Sequence, residues 1–351
     1  MKQIKAFQIG CGRMSKYIME YIINLGGEIV GAVDIDETKI GQDISKVIER
    51  ETYGVTINSL ENLEELLNKT KPNIAIITTM SFLNDVEETI RTCIRCGVNV
   101  ITTSEECFYP KNSNPNIYNE LDILAKAHNV TVTGCGYQDV FWGNLITVLS
   151  GSIHNITKIK GSSSYNVEDY GIALAEAHGA GKTIEEFEQE IASADHISDK
   201  DREKLINEGK FNPSYMWNTV GWLADKMHLT PIKMSSKTIP ITISEDIHSE
   251  TLNMDIKAGN ATGMSAVAIL ETKEGITIEA ECIGKVYTKD DFDKNEWTVE
   301  GEPTTTITVN NPDTVRLTCA NIVNRIPDVI NADSGFIPTS RISESTYKVK
   351  Y

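Results

Sequence analysis

The first residues that could do chemistry are two glycines near the start of the chain, Gly10 and Gly12, followed by Ser15. A short apolar run at residues 4–9 precedes them, and apolar residues recur at helical spacing over residues 14–25. Glycine at 10 permits a tight turn, and glycine at 12 lets a pyrophosphate approach the N–H groups that open the helix. The pattern predicts a phosphate cradle, although Ser15 stands where the usual fingerprint has its third glycine.

An acidic residue supplies the second half of this pattern. Residues 28–34 suit a second buried strand, and Asp34 ends it about 20 residues after the glycines, where a dinucleotide-binding domain has the acid that accepts the ribose hydroxyls. The alternative is an ordinary strand-to-helix turn whose acid caps the next helix. A carboxylate here repels a 2′-phosphate, so the pattern favours NAD over NADP. Lys39 is near enough in sequence to reduce that repulsion. With the ends of later strands included, the predicted cofactor-binding residues are Gly10, Cys11, Gly12, Arg13, Met14, Asp34, Thr78, Thr79 and Thr103.

Two adjacent glutamates follow a strand-like run at residues 98–103. Glu105 and Glu106 are like charges side by side, so one of them could have a raised pKa. A carboxylate at this place could hold a substrate amine, take its proton and activate water against an iminium. The alternative is a solvated acidic turn, because most Asp and Glu side chains are exposed. Both are predicted catalytic candidates, and the sequence leaves the choice between them open.

Aromatic and amide residues cluster at residues 137–144 and 165–170, each after a predicted strand. Polar groups among large rings suit a pocket for a small polar molecule, although core packing explains the rings about as well. His178 begins a stretch that superficially resembles a nucleotide P-loop, but Glu176 stands where that pattern needs a glycine. A mobile loop is therefore the prediction, with His178 as a candidate for lining a substrate cleft or, alternatively, as a structural histidine.

Alternating strand-like and helix-like segments position these residues. The alternation over the first part of the chain predicts a doubly wound parallel sheet of the Rossmann type, in which ligands bind outside the carboxyl ends of the strands. Within it, we expect a helix from Asp34 to about Arg50 and a long helix capped by Ser81 and ending at Gly97.

The pattern changes beyond Trp142, where strands come in runs and Lys273-Glu274-Gly275 joins two of them as a hairpin. This favours a separate α+β domain with a mainly antiparallel or mixed sheet. The predicted organisation is a dinucleotide-binding domain at 1–140, a substrate and dimerisation domain at 141–312, and a C-terminal helix and tail at 313–351 that pack back toward the first domain.

Composition narrows the class of protein. A formal net charge of -17 and the lack of a Lys/Arg cluster argue against binding to nucleic acid or to an anionic membrane, and a small cationic or zwitterionic substrate fits better. The seven cysteines are scattered, and Cys93 and Cys96 have no second pair or nearby histidine, so reduced thiols and no metal site are expected. The start of the chain runs straight into the first strand, and no apolar run reaches spanning length, so a cytoplasmic protein is expected.

Several stretches together carry a family resemblance that covers nearly the whole chain. They are Gly10-Cys11-Gly12-Arg13-Met14-Ser15-Lys16-Tyr17, Ser104 to Pro110, Tyr137 to Asn144, Gly161 to Gly171, and Asn324-Arg325-Ile326-Pro327-Asp328-Val329-Ile330-Asn331. In these stretches the sequence closely resembles the 2,4-diaminopentanoate dehydrogenase family of anaerobic ornithine fermentation. The glycine motif alone is far less specific, because many unrelated dehydrogenases share it.

The resemblance implies a function. It implies an N-terminal domain of dihydrodipicolinate-reductase type, a homodimer, and oxidative deamination of the 4-amine of (2R,4S)-2,4-diaminopentanoate with NAD preferred and NADP usable. Related amine dehydrogenases have a glutamate after the corresponding strand, which carries over to Glu105 or Glu106. The carboxylate and second ammonium of a diamino acid substrate need fixed partners. The predicted substrate-binding residues are Asp139, Asn144, Tyr165, Asn166 and His178.

The sequence is also compatible with other functions. One is a related diamine or amino-acid dehydrogenase, or an imine reductase, acting on another substrate. Another is a non-catalytic NAD-binding regulatory protein, against which the acidic pair argues. A hydroxyl dehydrogenase would be expected to have a lysine or histidine base where Glu105 and Glu106 stand.

Overall fold

The chain divides into two units in the computed structural model, which describes residues 3–195 and 197–351. Unit 1 runs to Asn144 and also contains Ile206–Asn212 and Asp313–Tyr351. Unit 2 contains Leu145–Leu205 and Pro213–Pro312.

Strands and helices alternate in the first part of the chain, and strands dominate after it. The strands are β1 (Lys5–Ile9), β2 (Glu28–Asp34), β3 (Ile57–Ser59), β4 (Ile74–Ile77), β5 (Asn99–Thr102), β6 (Thr131–Gly134), β7 (His154–Asn166), β8 (Pro231–Thr242), β9 (Ile247–Ser249), β10 (Met254–Ile256), β11 (Ala261–Thr272), β12 (Thr277–Lys285), β13 (Lys294–Glu302), β14 (Thr305–Asn310) and β15 (Gly335–Phe336). The helices are α1 (Arg13–Asn24), α2 (Ser45–Ile48), α3 (Leu63–Thr70), α4 (Leu83–Arg95), α5 (Pro115–Ala127), α6 (Leu145–Ser150), α7 (Ile172–Ala177), α8 (Ile184–Glu190), α9 (Asp199–Asn207), α10 (Tyr215–Lys226) and α11 (Thr314–Ile330).

Unit 1 is built on a parallel sheet with the strand order β15-β6-β5-β4-β1-β2-β3. The order reverses at β1, because β4 lies on one side of it and β2 on the other. In an open parallel sheet, ligands bind outside the carboxyl ends of the strands at such a reversal. The predicted Rossmann-type sheet is confirmed.

Helix α11 packs against α1 and completes one face of this sheet. The buried residues of α1 include Ser15, Ile18 and Ile22, whose spacing places them on a single face of the helix. Ile18 and Ile22 share a core cluster with residues of α11 such as Ile322 and Ile326. Each isoleucine buried in this way contributes about 1.5–3 kcal/mol, so the C-terminal helix is part of the core of unit 1.

The segment after β2 differs from the expected helix. Between Asp34 and Arg50 the only α-helical residues are Ser45–Ile48. The Asp43 carboxylate accepts hydrogen bonds from the backbone N–H groups of Ser45, Tyr53 and Gly54 at 2.7–3.0 Å. These bonds hold a loop, because a side chain satisfies N–H groups that a longer helix would have bonded internally.

Unit 2 contains a mixed sheet with the strand order β14-β13-β7-β12-β11-β8. Its β12 and β7 pair in parallel and its other neighbours are antiparallel. The expected hairpin is present, since Glu271 of β11 pairs with Thr277 of β12 around Gly275, which has a φ of 80°. Helix α10 packs on β11 and β12, and β9 pairs with β10 in a separate ribbon. The predicted α+β fold with a mixed sheet is confirmed.

Two absences hold for the part of the chain that the structure describes. No helix there is long and apolar enough to cross a membrane. No group of three or more His, Cys, Asp or Glu side chains there is placed to hold a metal ion. The seven cysteines are all free thiols.

Candidate active site

The turn after β1 has the geometry of a phosphate-binding loop. Gly10 has a φ of +86°, and a Cβ there would lie 2.7 Å from Cγ2 of Thr79 and 2.9 Å from the carbonyl oxygen of Thr78. A side chain at this position is therefore excluded both by backbone conformation and by contact. A Cβ at Gly12, in contrast, would meet no heavy atom within 4 Å. Space is thus left open beside Gly12, at the N-terminus of α1.

Among the residues that the structure describes, no side chain caps this N-terminus. Gly12 is the N-cap residue, and the first turn contains no acidic residue. The Ser15 hydroxyl donates to the carbonyl oxygen of Gly12 at 2.7 Å, and its side chain is fully buried, so serine serves the packing role of the missing glycine. A helix end with uncapped N–H groups and a positive dipole attracts an anion, and the open space beside Gly12 fits a pyrophosphate.

Gln8 and Thr78 hold the glycine turn in place. Nε2 of Gln8 donates to the carbonyl oxygen of Gly10 at 2.8 Å and to Oγ1 of Thr78 at 2.9 Å. The Thr78 hydroxyl in turn donates to the same Gly10 carbonyl at 2.9 Å. Gln8 is not among the residues predicted from the sequence; its signal is a single amide among the buried apolar residues Ala6, Phe7 and Ile9. A buried amide nitrogen needs acceptors, and the turn supplies them through Gly10 and Thr78.

Asp34 ends β2 beside the glycine turn. Its Oδ1 accepts from the backbone N–H groups of Ile35 at 2.7 Å and Asp36 at 2.9 Å, and its Oδ2 accepts from that of Cys11 at 2.6 Å. A carboxylate oxygen has two lone pairs, so Oδ2 keeps one direction for a further donor such as a ribose hydroxyl. The Nζ of Lys39 lies 3.7 Å from that oxygen.

Glu106 is tied into the protein on both carboxylate oxygens. Its Oε2 accepts from the backbone N–H of Leu83 at 2.7 Å, and its Oε1 accepts from the Ser113 hydroxyl at 2.7 Å. Leu83 is the first residue of α4, so the Glu106 side chain caps an N–H group at the start of this helix. The sequence predicted Ser81 for this role. The carbonyl oxygen of Ser81 instead accepts from the Glu106 N–H at 3.1 Å and from the Ser104 hydroxyl at 2.8 Å.

Glu105 has a different environment, although it is adjacent in sequence. As a whole residue Glu105 is partly exposed, whereas Glu106 is buried. Burial raises the pKa of Glu105, and a hydrogen bond with the Ser81 side chain opposes that rise. The pKa of Glu106 is also raised by burial, against the bonds from Ser113 and Leu83. The hydrogen bonds distinguish the two glutamates: Glu106 anchors the turn to α4 through both carboxylate oxygens, whereas the bond described for the Glu105 side chain is to Ser81.

Asp139 lies in a buried ion pair in place of the substrate contact expected from the sequence. It is fully buried, as is Arg325 of α11, whose Nε and Nη2 donate to the two carboxylate oxygens at 2.8 and 3.0 Å. Asn321 and Asn144 each donate to this carboxylate at 3.0 Å. The Arg325 guanidinium also bonds to the carbonyl oxygen of Ser343 in the C-terminal tail. Asp139 and Asn144 therefore belong to a structural network within unit 1.

Two predicted substrate residues of unit 2 contact each other. The Tyr165 hydroxyl lies 2.6 Å from Nε2 of His178, and Nδ1 of His178 lies 2.8 Å from the carbonyl oxygen of Leu174. Because Nδ1 must donate to that carbonyl, Nε2 of the neutral ring accepts from Tyr165. Burial lowers the pKa of His178, which favours this neutral form. The side chain of Asn166 accepts from the Glu168 N–H at 3.2 Å and caps the turn that follows β7.

The nucleotide residues predicted from sequence come together at one edge of the unit 1 sheet. The strands β5, β4, β1 and β2 are neighbours in that order, and the predicted residues follow their carboxyl ends. A nicotinamide dinucleotide fits this edge, since a pyrophosphate can lie at α1 and a ribose at Asp34. The residues gathered there are Gly10, Cys11, Gly12, Arg13, Met14, Asp34, Thr78, Thr79 and Thr103.

Comparison with known proteins identifies relatives over the whole length. The model of the 2,4-diaminopentanoate dehydrogenase C-terminal domain matches residues 141–344. The chain is 25% identical over 350 residues to 2,4-diaminopentanoate dehydrogenase of Acetoanaerobium sticklandii, covering 95% of this chain and 92% of that protein. It is 35% identical to the structure of an amine dehydrogenase from Mycobacterium smegmatis, with a TM-score of 0.82 and coverage of 99% and 98% of the two chains.

More distant relatives share parts or only the fold. A stretch of 93 residues, 26% of this chain and 33% of the relative, is 30% identical to 4-hydroxy-tetrahydrodipicolinate reductase of Methanothermobacter thermautotrophicus. The structure of myo-inositol 2-dehydrogenase from Lactobacillus plantarum has a TM-score of 0.56 at 15% identity, covering 94% and 90% of the chains, and so shares the fold. The family model covers more than half of the chain, and the full-length relatives agree with it. The chain therefore belongs to the 2,4-diaminopentanoate dehydrogenase family and is an NAD(P)-dependent dehydrogenase.

Proposed function

We propose that the protein catalyses oxidative deamination of the 4-amine of (2R,4S)-2,4-diaminopentanoate, giving (2R)-2-amino-4-oxopentanoate, ammonia and NAD(P)H. Family membership and the full-length relative from Acetoanaerobium sticklandii support this substrate. NAD is the preferred cofactor in this proposal and NADP the less favoured one, because the Asp34 carboxylate repels a 2′-phosphate. The protein would act as a cytoplasmic homodimer in ornithine degradation.

The environment of Glu105 is the observation that carries the proposal. A base must be reachable by the substrate and must titrate near the working pH. Glu105 is a partly exposed residue whose carboxyl group has a pKa raised by burial, and it follows β5 on the cofactor edge of the sheet. Glu106, with both oxygens engaged by Leu83 and Ser113, lacks that freedom. We therefore assign the acid–base role to Glu105 and a positioning role to Glu106.

The chemistry can be derived from this assignment. A bound NAD(P)+ would accept the hydride that leaves C4 of the substrate. The ionised Glu105 takes a proton from the substrate ammonium, so that the nitrogen lone pair can form the C=N bond as the hydride leaves. After Glu105 has released this proton to solvent, it takes a proton from the water that attacks the iminium carbon. It then returns that proton to the nitrogen of the carbinolamine and takes up the proton of the carbinolamine hydroxyl, so that the C–N bond breaks as the C=O bond forms and ammonia leaves.

Tyr165, Asn166 and His178 are the proposed substrate-binding residues of unit 2. The proton of the Tyr165 hydroxyl is directed to His178, so its oxygen is left as an acceptor, which suits an ammonium group. A glycine makes room for this pair, because a Cβ at Gly284 would lie 2.5 Å from Cδ2 of His178 and 2.8 Å from Cζ of Tyr165. Gly284→Ala should therefore raise KM for the diamino acid while leaving the Kd of the cofactor unchanged.

The decisive experiment measures NADH formation from 2,4-diaminopentanoate by the wild type, Glu105→Gln and Glu106→Gln. We expect turnover by the wild type and loss of about 10²–10⁴ in kcat for Glu105→Gln, the usual contribution of a general base. Full activity of Glu105→Gln would refute its role. Turnover of 3,5-diaminohexanoate with none of 2,4-diaminopentanoate would refute the substrate, and NAD binding without oxidation of any amine would indicate a regulatory protein.

A second candidate function is dehydrogenation of a simple amine that has no carboxylate. The observation in its favour is the higher identity, 35% against 25%, to the amine dehydrogenase from Mycobacterium smegmatis than to the diaminopentanoate enzyme. Comparing kcat/KM for 2,4-diaminopentanoate, 4-aminopentanoate and 2-aminopentane separates the two. A preference for 2-aminopentane would select the second function.

A further inference from the structure

One short segment belongs to unit 1 although the chain on both sides of it belongs to unit 2. Ile206–Asn212, here called the 206–212 segment, is part of unit 1, whereas the chain up to Leu205 and again from Pro213 is part of unit 2. The segment contains the end of α9 and a turn at Gly209, which has a φ of +65°. Because it contributes no strand to the sheet of unit 1, its attachment there depends on contacts other than sheet pairing.

Three asparagines of unit 1 supply hydrogen bonds for this attachment. Nδ2 of Asn84, the second residue of α4, donates to the carbonyl oxygen of Gly209 at 2.7 Å. Nδ2 of Asn116, the second residue of α5, donates to the carbonyl oxygen of Asn207 at 2.7 Å. Nδ2 of Asn114 donates to Oδ1 of Asn84 at 2.9 Å. An amide suits this arrangement because it can donate to the segment and accept from a neighbour at the same time.

Asn114 lies at the start of α5 but does not cap it. Asparagine is a preferred N-cap residue, yet the side chain of this N-cap residue makes no capping bond. Asn114 is only 2% exposed, and a Cβ at Gly209 would lie 3.5 Å from both its amide nitrogen and its amide oxygen. The side chain of Asn114 is therefore used for the contact with Asn84 and the 206–212 segment rather than for the helix end.

The residues next to Asn84 and Asn114 are the two donors that hold Glu106. Leu83, whose N–H donates to Oε2 of Glu106, directly precedes Asn84. Ser113, whose hydroxyl donates to Oε1, directly precedes Asn114. The bond between the two asparagines therefore connects the two chain segments that fix the Glu106 carboxylate.

Glu105 is bonded to the same stretch of chain before α4. Its side chain is hydrogen-bonded to that of Ser81, two residues before Leu83. The carbonyl oxygen of Ser81 also accepts from the N–H of Glu106 at 3.1 Å and from the Ser104 hydroxyl at 2.8 Å. A displacement at the start of α4 would consequently move the partners of both glutamates.

We propose that Asn84 and Asn114 are positioning residues for the Glu105 carboxylate, acting through Ser81 and Glu106, and that the 206–212 segment keeps Asn84 in place. This inference rests on the proposed function, because Glu105 is the base assigned there. The two asparagines do no chemistry themselves. Their effect is geometric, since a displacement of about 1 Å in an active site can cost about 100-fold in rate.

Steady-state kinetics of the full chain with NAD+ and 2,4-diaminopentanoate test the effect on catalysis. Asn84→Ala and Asn114→Ala should each lower kcat by about 10- to 100-fold while leaving the Kd of NAD+ nearly unchanged, because the glycine turn and Asp34 keep their contacts. Asn116→Ala is the matched control. It removes a bond of the same length to the same segment, but Asn116 does not adjoin Leu83 or Ser113, so wild-type kcat is expected.

Hydrogen exchange measured by mass spectrometry tests the positioning without turnover. The N–H groups of residues 106–108 donate to backbone carbonyl oxygens at 3.1–3.2 Å, so their exchange reports on the turn that carries Glu105. Asn84→Ala should speed this exchange by about 10-fold, which corresponds to about 1.4 kcal/mol. Asn116→Ala should leave it unchanged, and the amides of β1 should keep their rate in both variants.

The outcomes separate this inference from the proposed function. Wild-type kcat in both Asn84→Ala and Asn114→Ala would overturn the inference, and so would an equal loss of kcat in Asn116→Ala. If the wild type oxidised no amine, the proposed function would fail, and the exchange measurement would still decide whether the asparagines hold the turn. Equal exchange at residues 106–108 in the wild type and Asn84→Ala would show that they do not.

Discussion

The Glu106 carboxylate and the Leu83 N–H, 23 residues apart in sequence, form a 2.7 Å hydrogen bond that joins the turn after β5 to the start of α4. Because this acceptor is buried, Glu106→Ala should destabilise the protein by about 1–3 kcal/mol. Glu106→Gln should cost less, since an amide oxygen can still accept from Leu83. Urea unfolding measures both. Glu105→Gln is the matched control, and equal stability of Glu106→Ala and wild type would contradict the capping role.

The raised pKa of Glu105 predicts the acid side of the activity profile. The base works when ionised, so kcat/KM should fall as the pH drops through a pKa above the ordinary range of glutamate. Above that pKa the wild type should reach a plateau, because in the proposed mechanism Glu105 removes the proton from the substrate ammonium. Glu105→Gln should show residual activity that keeps rising toward the pKa of the amine, about 10. Identical profiles for the two proteins would rule out Glu105 as the titrating base.

Gly10 and Gly12 should respond differently to the same substitution. Gly10→Ala places a Cβ at a φ of +86° and 2.7 Å from Cγ2 of Thr79, so it should lower both stability and dinucleotide affinity. Gly12→Ala meets no protein atom within 4 Å, so it should leave stability nearly unchanged while its Cβ occupies the space for the pyrophosphate. Thermal unfolding together with NADH titration distinguishes the two effects. Unimpaired NADH binding by Gly12→Ala would argue against a pyrophosphate at this turn.

The buried pair of Asp139 and Arg325 should be a large contributor to the integrity of unit 1. Arg325→Met leaves the Asp139 charge in a dry core and should destabilise by about 3–5 kcal/mol. Adding Asp139→Asn should recover part of that loss, because the two side chains are coupled. Arg316→Met is the control on the same helix: its side chain is 61% exposed, and the change should cost no more than about 1 kcal/mol. Equal effects at 316 and 325, measured by urea unfolding, would contradict this assignment.

The sequence predicts the parts of the fold that depend on local pattern. The glycine turn, the strand that ends at Asp34 and the hairpin at Gly275 are each specified by residues within a few positions of one another. Strand β13 was not predicted, although its buried Trp297 and Val299 alternate with Glu296, Thr298 and Glu300, which is the period of a half-buried strand. The helix expected between Asp34 and Arg50 does not form over most of that segment. The Asp43 side chain bonds backbone groups as far away as Gly54, which no pattern within the segment indicates.

The site was predictable only to the level of residue clusters. Glu105 and Glu106 have the same chemistry and adjacent positions, and what separates them is contact with Ser113 and Leu83, which lie 7 and 23 residues from Glu106. Asp139 looked like a pocket residue, but its partner Arg325 is 186 positions away. No local spacing rule connects such residues, because the fold alone brings them together.

The C-terminal residues of unit 1 determine when that unit can form during synthesis. A ribosome that has completed Asn144 has made every strand of the parallel sheet except β15, yet neither the counter-ion of Asp139 nor the helix that covers α1 exists. Even the last residue takes part, since the N–H of Tyr351 donates to the carbonyl oxygen of Leu25 at 2.9 Å. Unit 1 must therefore remain incomplete until unit 2 has been translated in full. During that time its uncovered apolar surface is a binding site for chaperones.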